Sequence, residues 1–254
     1  MICTGQMTVP QVVPQAAVGF MGPHAEARTD VGRLTEPVPE TDPRIQNLLG
    51  TPAWESLPVA VRRRFSKCFK PAEALLYSGH VVETRLSLAG RAVSALARLI
   101  GSPLPGPDGN MGAAAVSVIE DQASRHQNWT RTYERPGRFP QVVHSMKRFS
   151  GPTGLEEYVG SGIGMTLNVS VEDGALVFRS GHYFFEWGRF RLRVPRALSP
   201  GDMEIVHRDE PGYEPLDNAF SFRLTLTHPM LGPLVHQLAY FREVGAAKRR
   251  TDPR

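Results

Sequence analysis

The feature that most constrains the fold is an unbroken series of strand-like segments in the second half of the chain. Short runs rich in β-branched and aromatic residues follow one another from residue 112 to residue 241, separated by turn signals such as Glu172-Asp173-Gly174. A parallel neighbour needs a crossover of about a dozen or more residues, and no helical spacer of that length is present, so the strands are expected to pair antiparallel. Strands are predicted at 112–120, 128–134, 141–149, 155–160, 165–171, 176–187, 190–194, 203–208, 220–227 and 234–241.

The last two strands give the clearest hairpin. Four apolar residues alternate strictly with polar ones, namely Phe220, Phe222, Leu224 and Leu226. A period of two places them on one face, and the His228-Pro229-Met230-Leu231-Gly232 segment then ends the strand, because proline cannot donate to the ladder and glycine accepts a positive φ. The pair is therefore predicted to be a half-buried antiparallel hairpin with its phenylalanines facing inward.

The first half of the chain carries the helical patterns. Apolar residues at intervals of three and four predict two short amphipathic helices within 43–70, and a strand is predicted at 74–86. The strongest helix is expected from Ser87, as its cap, to Ile100. The segment 1–41, rich in Pro, Gly, Val and Ala, is expected to be a flexible tail, 42–244 a single domain, and 245–254 a basic C-terminal tail.

These patterns predict an α+β fold that is mostly β. We expect a large curved antiparallel sheet of about ten strands, either a half-barrel or a closed barrel, with one long helix packed on it. A chain of 254 residues is long enough to bury a substantial core.

Composition narrows the partners. The net charge of +4 is a mild basic excess, without the clustered aromatic platform or recognition helix that nucleic-acid binding needs. Two cysteines, Cys3 and Cys68, have no disulfide or metal-site spacing, and no run of 18 apolar residues or signal peptide is visible, so a cytoplasmic protein without a transmembrane segment is expected.

Sequence motifs for common cofactors and metals are missing. The glycine-rich stretch Gly160-Ser161-Gly162-Ile163-Gly164 lies between strands rather than before a helix, which favours a hairpin or bulge over a phosphate-binding loop. No H-E-x-x-H, C-x-x-C or G-x-S-x-G motif is present. We therefore predict neither a cofactor nor a metal.

An acid and a base are the catalytic candidates. His182 and Glu186 are four residues apart on one predicted strand, so they share a face with Phe184 and are separated by about 13 Å at the usual rise. That separation is too large for one metal or a direct dyad, but suits an acid–base pair at two depths of one cavity. The alternative is a half-exposed strand with ordinary polar residues.

Other polar and aromatic residues are candidates for ligand binding. His228 ends the apolar face of Phe220, Phe222 and Leu224, where it serves either as a ligand-contacting residue or as a rim residue bonded to the backbone. His207 and His144 lie in other strands, and several histidines meet a carboxylate only if those strands curl together. The predicted ligand-binding residues are Phe184, Arg189, Arg191, His207, Phe220, Phe222, Leu224 and His228.

Two groups of cations are open to two interpretations. Arg189, Arg191 and Arg193 alternate with apolar residues, so they form either the solvent face of a sheet or donors for a carboxylate or phosphate at a pocket mouth. The run Arg62-Arg63-Arg64 with Lys67 and Lys70 is either a solvated helix face or a contact for an anion or lipid headgroup.

The order of several short motifs resembles the bacterial domain of unknown function 4166 family, over roughly residues 48–242. The motifs are Leu49-Gly50-x-x-Ala53-Trp54-x-x-Leu57-Pro58, Val61-Arg62-Arg63, Tyr77-Ser78-Gly79, Leu198-Ser199-Pro200 and His228-Pro229-Met230-Leu231-Gly232. Members of this family stand alone or are joined to saccharopine-dehydrogenase-like dinucleotide-binding domains. The resemblance therefore implies a bacterial, cytoplasmic protein and a dinucleotide-binding oxidoreductase as a partner, and it provides no catalytic residues.

Three functions remain open at this point. The first is a binding module with an apolar cavity for a small hydrophobic or lipid-like ligand, either neutral or with an anionic group. The second is an enzyme that acts on such a ligand through His182 and Glu186, or through a cluster that includes His207 and His228. The third is a structural or interaction domain with a filled core.

Overall fold

A computed structural model describes residues 41–71, 73–99, 104, 112–160, 162–214 and 216–248. The predicted N-terminal tail before residue 41, Cys3, most of the loop at 100–111 and residues 249–254 lie outside these residues. The helices are α1 (Arg44–Leu49), α2 (Thr51–Glu55), α3 (Val59–Phe65) and α4 (Leu88–Leu99). The strands are β1 (Glu73–Leu86), β2 (Ala113–Glu120), β3 (Gln127–Tyr133), β4 (Gln141–Arg148), β5 (Glu156–Gly160), β6 (Ile163–Glu172), β7 (Ala175–Trp187), β8 (Phe190–Arg193), β9 (Asp202–Glu210), β10 (Ala219–His228) and β11 (Gly232–Lys248).

Ten of the strands close into an antiparallel barrel. The strand order is β6-β5-β4-β3-β2-β1-β11-β10-β9-β7, and β7 pairs again with β6 to complete the ring. β8 lies outside the ring and pairs only with β7. Closure removes the exposed edges that an open sheet of this size would carry. The predicted mostly β antiparallel architecture is confirmed, in its closed form.

The first and last strands hold the barrel together over a long distance in sequence. β1 pairs with β11 from Glu73 opposite Lys248 to Leu86 opposite Val235. β11 therefore continues four residues into the segment 245–254, which the sequence assigned to a tail, because the start of β1 offers it a pairing partner as far as Lys248.

The helices close the two ends of the barrel. The region 43–70 forms three short helices rather than two, because Gly50 and Pro58 each interrupt the helical pattern. Arg44 ties α1 to the barrel by hydrogen bonds to Asp42, to Glu120 of β2 and to the carbonyl of Arg125 at 2.8 Å. We call this end, where the β2–β3 and β6–β7 turns lie, the α1–α3 end.

The long helix closes the opposite end, which we call the α4 end. The hydroxyl of Ser87 accepts a hydrogen bond from the backbone amide of Gly90 at 3.1 Å, so Ser87 caps the helix as predicted. Val93 of α4 packs against Leu226, Leu234 and Val235, beside the β10–β11 turn. The helix thus plugs an end of the barrel, whereas the sequence placed it on a sheet face.

One turn and one bulge set the directions of the site residues on β7. Asp173 and Gly174 both have positive φ, +48° and +72°, which gives the tight hairpin that the Asp-Gly pair predicted. In β7 the register slips between Ser180, opposite Leu167, and Tyr183, opposite Met165, so β7 carries one extra residue. Such a bulge reverses which residues of the strand face inward on its two sides.

Candidate functional site

The barrel encloses a cavity toward its α1–α3 end. Its lining combines side chains of eight strands with residues of α1, α3 and the segment after α3. Aromatic rings make up much of the wall: Phe65, Phe69, Tyr77, Trp129, Tyr133, Phe149, Phe178, Phe220, Phe222 and Phe241. The polar and charged lining residues are Asp42, Arg64, Lys67, Gln127, Arg131, Lys147 and His207. We call this space the interior cavity.

His207 lies within an aromatic cage. Its ring contacts Phe65, Phe178 and Phe222 at centroid distances of 5.1, 5.9 and 5.4 Å, each close to edge-on, and Phe220 lies on another side. Burial lowers the pKa of His207 well below its ordinary value, and the nearby positive charges lower it further. The imidazole is therefore neutral, and its buried Nδ1 has no hydrogen-bond partner among the described residues.

Arg64 extends from α3 over the aromatic wall. Its guanidinium carbon is 3.8 Å from the centroid of the Phe220 ring, and Nη2 is 3.6 Å from Oδ1 of Asp209. Burial lowers the pKa of Arg64, although Tyr77 and Asp209 act in the other direction. Nη1 is buried without a hydrogen-bond partner in the part of the chain that the structure describes. This guanidinium nitrogen is thus an unsatisfied donor on a side chain that lines the cavity.

A second cationic group lies on the β3–β4–β5 wall. Lys147 Nζ is 3.1 Å from Oε2 of Glu157, and Arg131 Nη2 is 3.7 Å from Oε1 of the same carboxylate. Burial acts to raise the pKa of Glu157, but attraction by Lys147 and Arg131, with hydrogen bonds from Ser145 and Lys147, outweighs burial and lowers the pKa to about 2. Glu157 is thus ionised and shared by two cations, which leaves this wall positive.

Trp129 belongs to the aromatic wall of the cavity and also contacts the cations of the β3–β4–β5 wall. Lys147 Nζ lies 4.8 Å from its ring centroid and the Arg131 guanidinium 5.6 Å from it. Its indole Nε1 is buried and donates no hydrogen bond within the described residues. Buried indole N–H groups usually have a partner, so this donor is a second unused one in the cavity.

The cavity is compact. The space open to the centres of water molecules is about 60 Å³, roughly enough for four ordered waters. A water molecule extends beyond its centre, so the cavity itself is larger than this volume. A molecule with one ring system and a small polar group has a suitable size for it.

The family follows from comparison with known proteins. The model of the domain of unknown function DUF4166 matches residues 57–241 of the chain. The chain belongs to the DUF4166 family. No curated protein and no solved structure matches it. The family match begins just before α3 and ends at Phe241, within β11, so it includes every cavity-lining residue except Asp42 and Ile45.

The family resemblance seen in the sequence is therefore confirmed. Among the described residues, no helix is both long and apolar enough to cross a bilayer. No group of three or more His, Cys, Asp and Glu residues with the geometry to hold a metal ion occurs in the same part of the DUF4166 chain.

Three of the predicted ligand-binding residues line the interior cavity, namely His207, Phe220 and Phe222. Leu224 is partly buried and packs against the core beyond the cavity. His228 is buried at the β10–β11 turn, where its Nδ1 accepts hydrogen bonds from the backbone amides of Met230 and Leu231 at 3.2 and 3.3 Å. Of the two roles considered for His228, these contacts match that of a rim residue bonded to the backbone.

The two catalytic candidates lie in different surroundings on β7. His182 lines a groove of about 760 Å³ on the side of the barrel, where β7 separates from β9, together with Ser180 and Arg193. Burial lowers the pKa of His182, and Arg193 and Arg191 lower it further. Glu186 is not among the residues of this side groove; its Oε2 accepts a hydrogen bond from the Tyr158 hydroxyl at 2.8 Å. The structure thus does not bring His182 and Glu186 into one cavity.

Phe184 and Arg191 belong to a cluster on the outer wall, which we call the outer cluster. The Arg191 guanidinium lies 3.5 Å from the Phe184 ring centroid, and its Nη2 is 2.5 Å from the buried carboxylate of Glu156. Phe184 packs edge-on against Tyr158 at 5.4 Å. Because of the β7 bulge, these side chains face away from the interior cavity. Arg189 lies at the β7–β8 turn, with its guanidinium 5.5 Å from the Phe190 ring.

The cavity also contains residues that the sequence did not single out. Trp129, Arg131 and Lys147 alternate with other polar residues in β3 and β4, so both faces of these strands have polar character and alternation does not indicate which is inside. Arg64 belongs to a basic run whose interpretation as a solvated face is wrong for this residue. The one signal in the sequence was that the basic run directly precedes Phe65 and Phe69, which enter the same cavity.

Proposed function

We propose that this DUF4166 domain binds a compact ligand with a planar, apolar body and an anionic group inside the interior cavity. The observation that carries the proposal is the set of buried polar atoms without partners in an otherwise aromatic cavity: Arg64 Nη1, Trp129 Nε1 and His207 Nδ1. An unpaired buried polar group costs about 1–3 kcal/mol, more when it is charged. A ligand that supplies the missing acceptors and a donor recovers that free energy on binding.

The charges around the interior cavity support an anionic ligand. Arg64, Arg131 and Lys147 all act on His207 as nearby positive charges, whereas the acidic groups paired with them are Asp209 and Glu157. The neutral imidazole adds no compensating charge. The cavity therefore has a positive potential inside a low-dielectric wall, where a carboxylate is attracted more strongly than at the surface.

The aromatic lining supports a planar body. Edge-on and tilted contacts among Phe65, Phe178, Phe220 and His207 leave ring faces available to a flat molecule. The space favours one ring system over a long acyl chain, so the lipid-like ligand envisaged from the sequence is narrowed to a small aromatic acid.

Binding is favoured over the two other functions. An acid–base enzyme built on His182 and Glu186 needs both groups at one substrate, and they lie in separate surroundings. A purely structural core would leave no reason for unpaired donors to persist in its centre.

The first experiment is native mass spectrometry of the protein purified from its own host. A bound mass that is released on denaturation is expected. The second is calorimetric titration with benzoate, indole-3-carboxylate and octanoate as probes, and we expect the aromatic carboxylates to bind more tightly than octanoate.

Variants connect the binding to the cavity. Arg64→Met is expected to weaken aromatic carboxylate binding by about tenfold or more, since a hydrogen bond to a charged group contributes about 1.5–3 kcal/mol. The matched control is Arg63→Met, which removes an exposed arginine from the same helix. The proposal fails if no mass co-purifies and none of the three probes binds, or if both variants bind alike. Turnover of a bound molecule that is abolished by His182→Ala or Glu186→Ala would instead support the enzyme.

A further inference from the structure

The α4 end of the barrel carries most of the exposed large apolar side chains of the described residues. The strand directions place the 134–140 loop, the β7–β8 hairpin, the 194–201 segment, the β10–β11 turn and α4 together at this end. The exposed apolar residues on these elements are Leu88, Leu96, Phe139, Phe185, Trp187, Phe190, Leu192, Leu198, Met230 and Leu231. At the opposite end Val59, Ile119 and Val244 are the comparable residues of the described chain.

The β7–β8 hairpin is the most prominent of these elements. Trp187 pairs with Phe190, and Phe185 pairs with Leu192, so four apolar residues share one face of the hairpin. Trp187 is 77% exposed and Phe190 is 64% exposed. The other face of the hairpin is fixed to the barrel by the outer cluster, through Arg191 and Glu156. The apolar face is therefore held outward by a rigid support.

Arginines are interleaved with these apolar tips. Arg135 and Arg138 share a loop with Phe139, Arg189 lies between Trp187 and Phe190, and Arg193 and Arg196 follow Leu192. Two acidic groups lie among these five arginines, Asp202, which pairs with Arg196 at 2.7 Å, and Glu134, which precedes Arg135, so positive charges outnumber negative ones. The end consequently combines apolar tips with a positive surface.

We propose that the α4 end is a docking surface for a lipid bilayer that contains anionic lipids. Trp and Phe side chains are favoured at the boundary between headgroups and acyl chains, and arginines among them bind anionic headgroups. The apolar residues stand at the tips of several separate elements instead of lining one groove, which allows each to enter a fluid surface to a shallow depth. This proposal is independent of the ligand in the interior cavity, and either can fail alone.

The opposing possibility is a protein partner or a second copy of this chain. β8 is a four-residue strand at the edge of the described sheet, and a strand edge can pair with another strand. A symmetric pair of copies joined at this end, however, would bring two surfaces with the same positive excess together. Charge thus favours an anionic surface over a second copy.

The test is sedimentation of the full chain with vesicles of phosphatidylcholine alone and of phosphatidylcholine with phosphatidylserine. Binding is expected for the anionic vesicles and is expected to weaken as salt is added. Trp187→Ser combined with Phe190→Ser is expected to reduce binding by about tenfold or more. Arg189→Gln combined with Arg193→Gln is expected to reduce binding to anionic vesicles by roughly twenty-five-fold, since each arginine near the surface contributes about fivefold.

The matched control is Val59→Ser combined with Val244→Ser, which removes comparable exposed apolar groups from the other end. This double variant is expected to bind anionic vesicles as tightly as the original chain does. Circular dichroism and thermal unfolding establish that each variant is folded, which is expected because all the changed side chains are exposed. The proposal is overturned if anionic vesicles do not sediment the chain at low salt, or if the hairpin variants bind unchanged. It is also overturned if the chain forms a dimer in solution that the Trp187 and Phe190 changes dissociate.

Discussion

The guanidinium of Arg64 lies over the ring of Phe220 with 3.8 Å between its carbon and the ring centroid, and its Nη1 is buried without a partner in the described residues. This arrangement costs stability, because a charge is taken out of water and one of its donors is left unused. A residue retained in such a position is expected to serve binding more than folding.

Replacing Arg64 should therefore separate stability from binding. For Arg64→Met combined with Asp209→Asn, which leaves neither partner of that pair charged, we expect the free energy of unfolding to stay within about 1 kcal/mol of the original or to rise, because an apolar chain of similar length can cover Phe220 without a desolvated charge. Urea denaturation measures this, alongside the loss of aromatic carboxylate binding. A loss of several kcal/mol would show that Arg64 is chiefly a structural residue.

His207 should make the protein sensitive to mild acid. Burial and the surrounding cations lower its pKa in the folded state, while in the unfolded chain it titrates near the ordinary histidine pKa of 6.5. Below pH 6.5 the unfolded chain therefore binds a proton that the folded protein does not, so stability present above that pH is lost as the pH falls toward the folded value.

The change that isolates this effect is His207→Phe, which keeps a ring in the aromatic cage. We expect the difference in unfolding free energy between pH 7.5 and pH 5.5 to be smaller in the variant than in the original chain. His144→Phe, on the exposed face of β4, is the control and should leave the difference unchanged. Equal pH profiles for all three chains would contradict the neutral buried state of His207.

The Lys147–Glu157 pair is expected to couple strongly. Lys147→Met leaves a buried carboxylate with only Arg131 near it, at 3.7 Å, and should cost about 3–5 kcal/mol. Lys147→Met combined with Glu157→Gln should recover much of that loss, since the uncompensated buried carboxylate is gone and Arg131 keeps its hydrogen bond to the Ser145 hydroxyl at 3.0 Å. The four chains form a double-mutant cycle, and additive effects would indicate that the two side chains do not interact.

Glu157 also makes the stability of the folded protein depend on pH in strong acid. Its pKa of about 2 lies below the 4.5 of the unfolded chain. The stability that it contributes is present above pH 4.5 and is lost as the pH falls through the folded pKa. Acid unfolding of Glu157→Gln should accordingly depend less on pH in this range than that of the original chain.

The outer cluster should stabilise the β7–β8 hairpin on the barrel. Arg191→Met leaves the fully buried Glu156 carboxylate without its cation and is expected to cost about 2–4 kcal/mol, a value reduced for the partial exposure of Arg191. Arg189→Met, on the same hairpin, should change stability by less than about 0.5 kcal/mol. Hydrogen exchange of β8 amides should accelerate in the first variant only; similar exchange in both would show that the ion pair does not fix the hairpin.

A close backbone approach fixes α4 at its end of the barrel. A Cβ atom at Gly90 would lie 2.0 Å from the carbonyl oxygen of Leu234, so Gly90→Ala must displace the helix. We expect a loss of about 2 kcal/mol or more in the free energy of unfolding. Gly212→Ala is the control, because a Cβ there meets nothing within 4 Å, and it should be neutral. Equal stability of the two variants would mean that α4 moves at no cost.

Several features of the fold were determined by local sequence. Strict alternation in 220–226, the Asp173-Gly174 pair and the Ser87 cap each depend on residues within a few positions of one another, and each is found where the pattern placed it. The succession of strands without helical spacers likewise dictated antiparallel pairing. Three of the cavity residues, His207, Phe220 and Phe222, were identified in the same way.

The rest was decided only by the tertiary structure. Closure of the barrel depends on β1 meeting β11 and β7 meeting β9, which are not neighbours in the sequence, and neither contact leaves a periodic signal in the chain. The bulge in β7 turned Phe184 and Glu186 outward, a one-residue shift that alternation alone does not reveal. Trp129, Arg131 and Lys147 lie inside because their strands curl around a space, and Arg64 because α3 closes its end. Sequence period fixes which residues share a face, but only the closed sheet determines which face is enclosed and which charges meet within it.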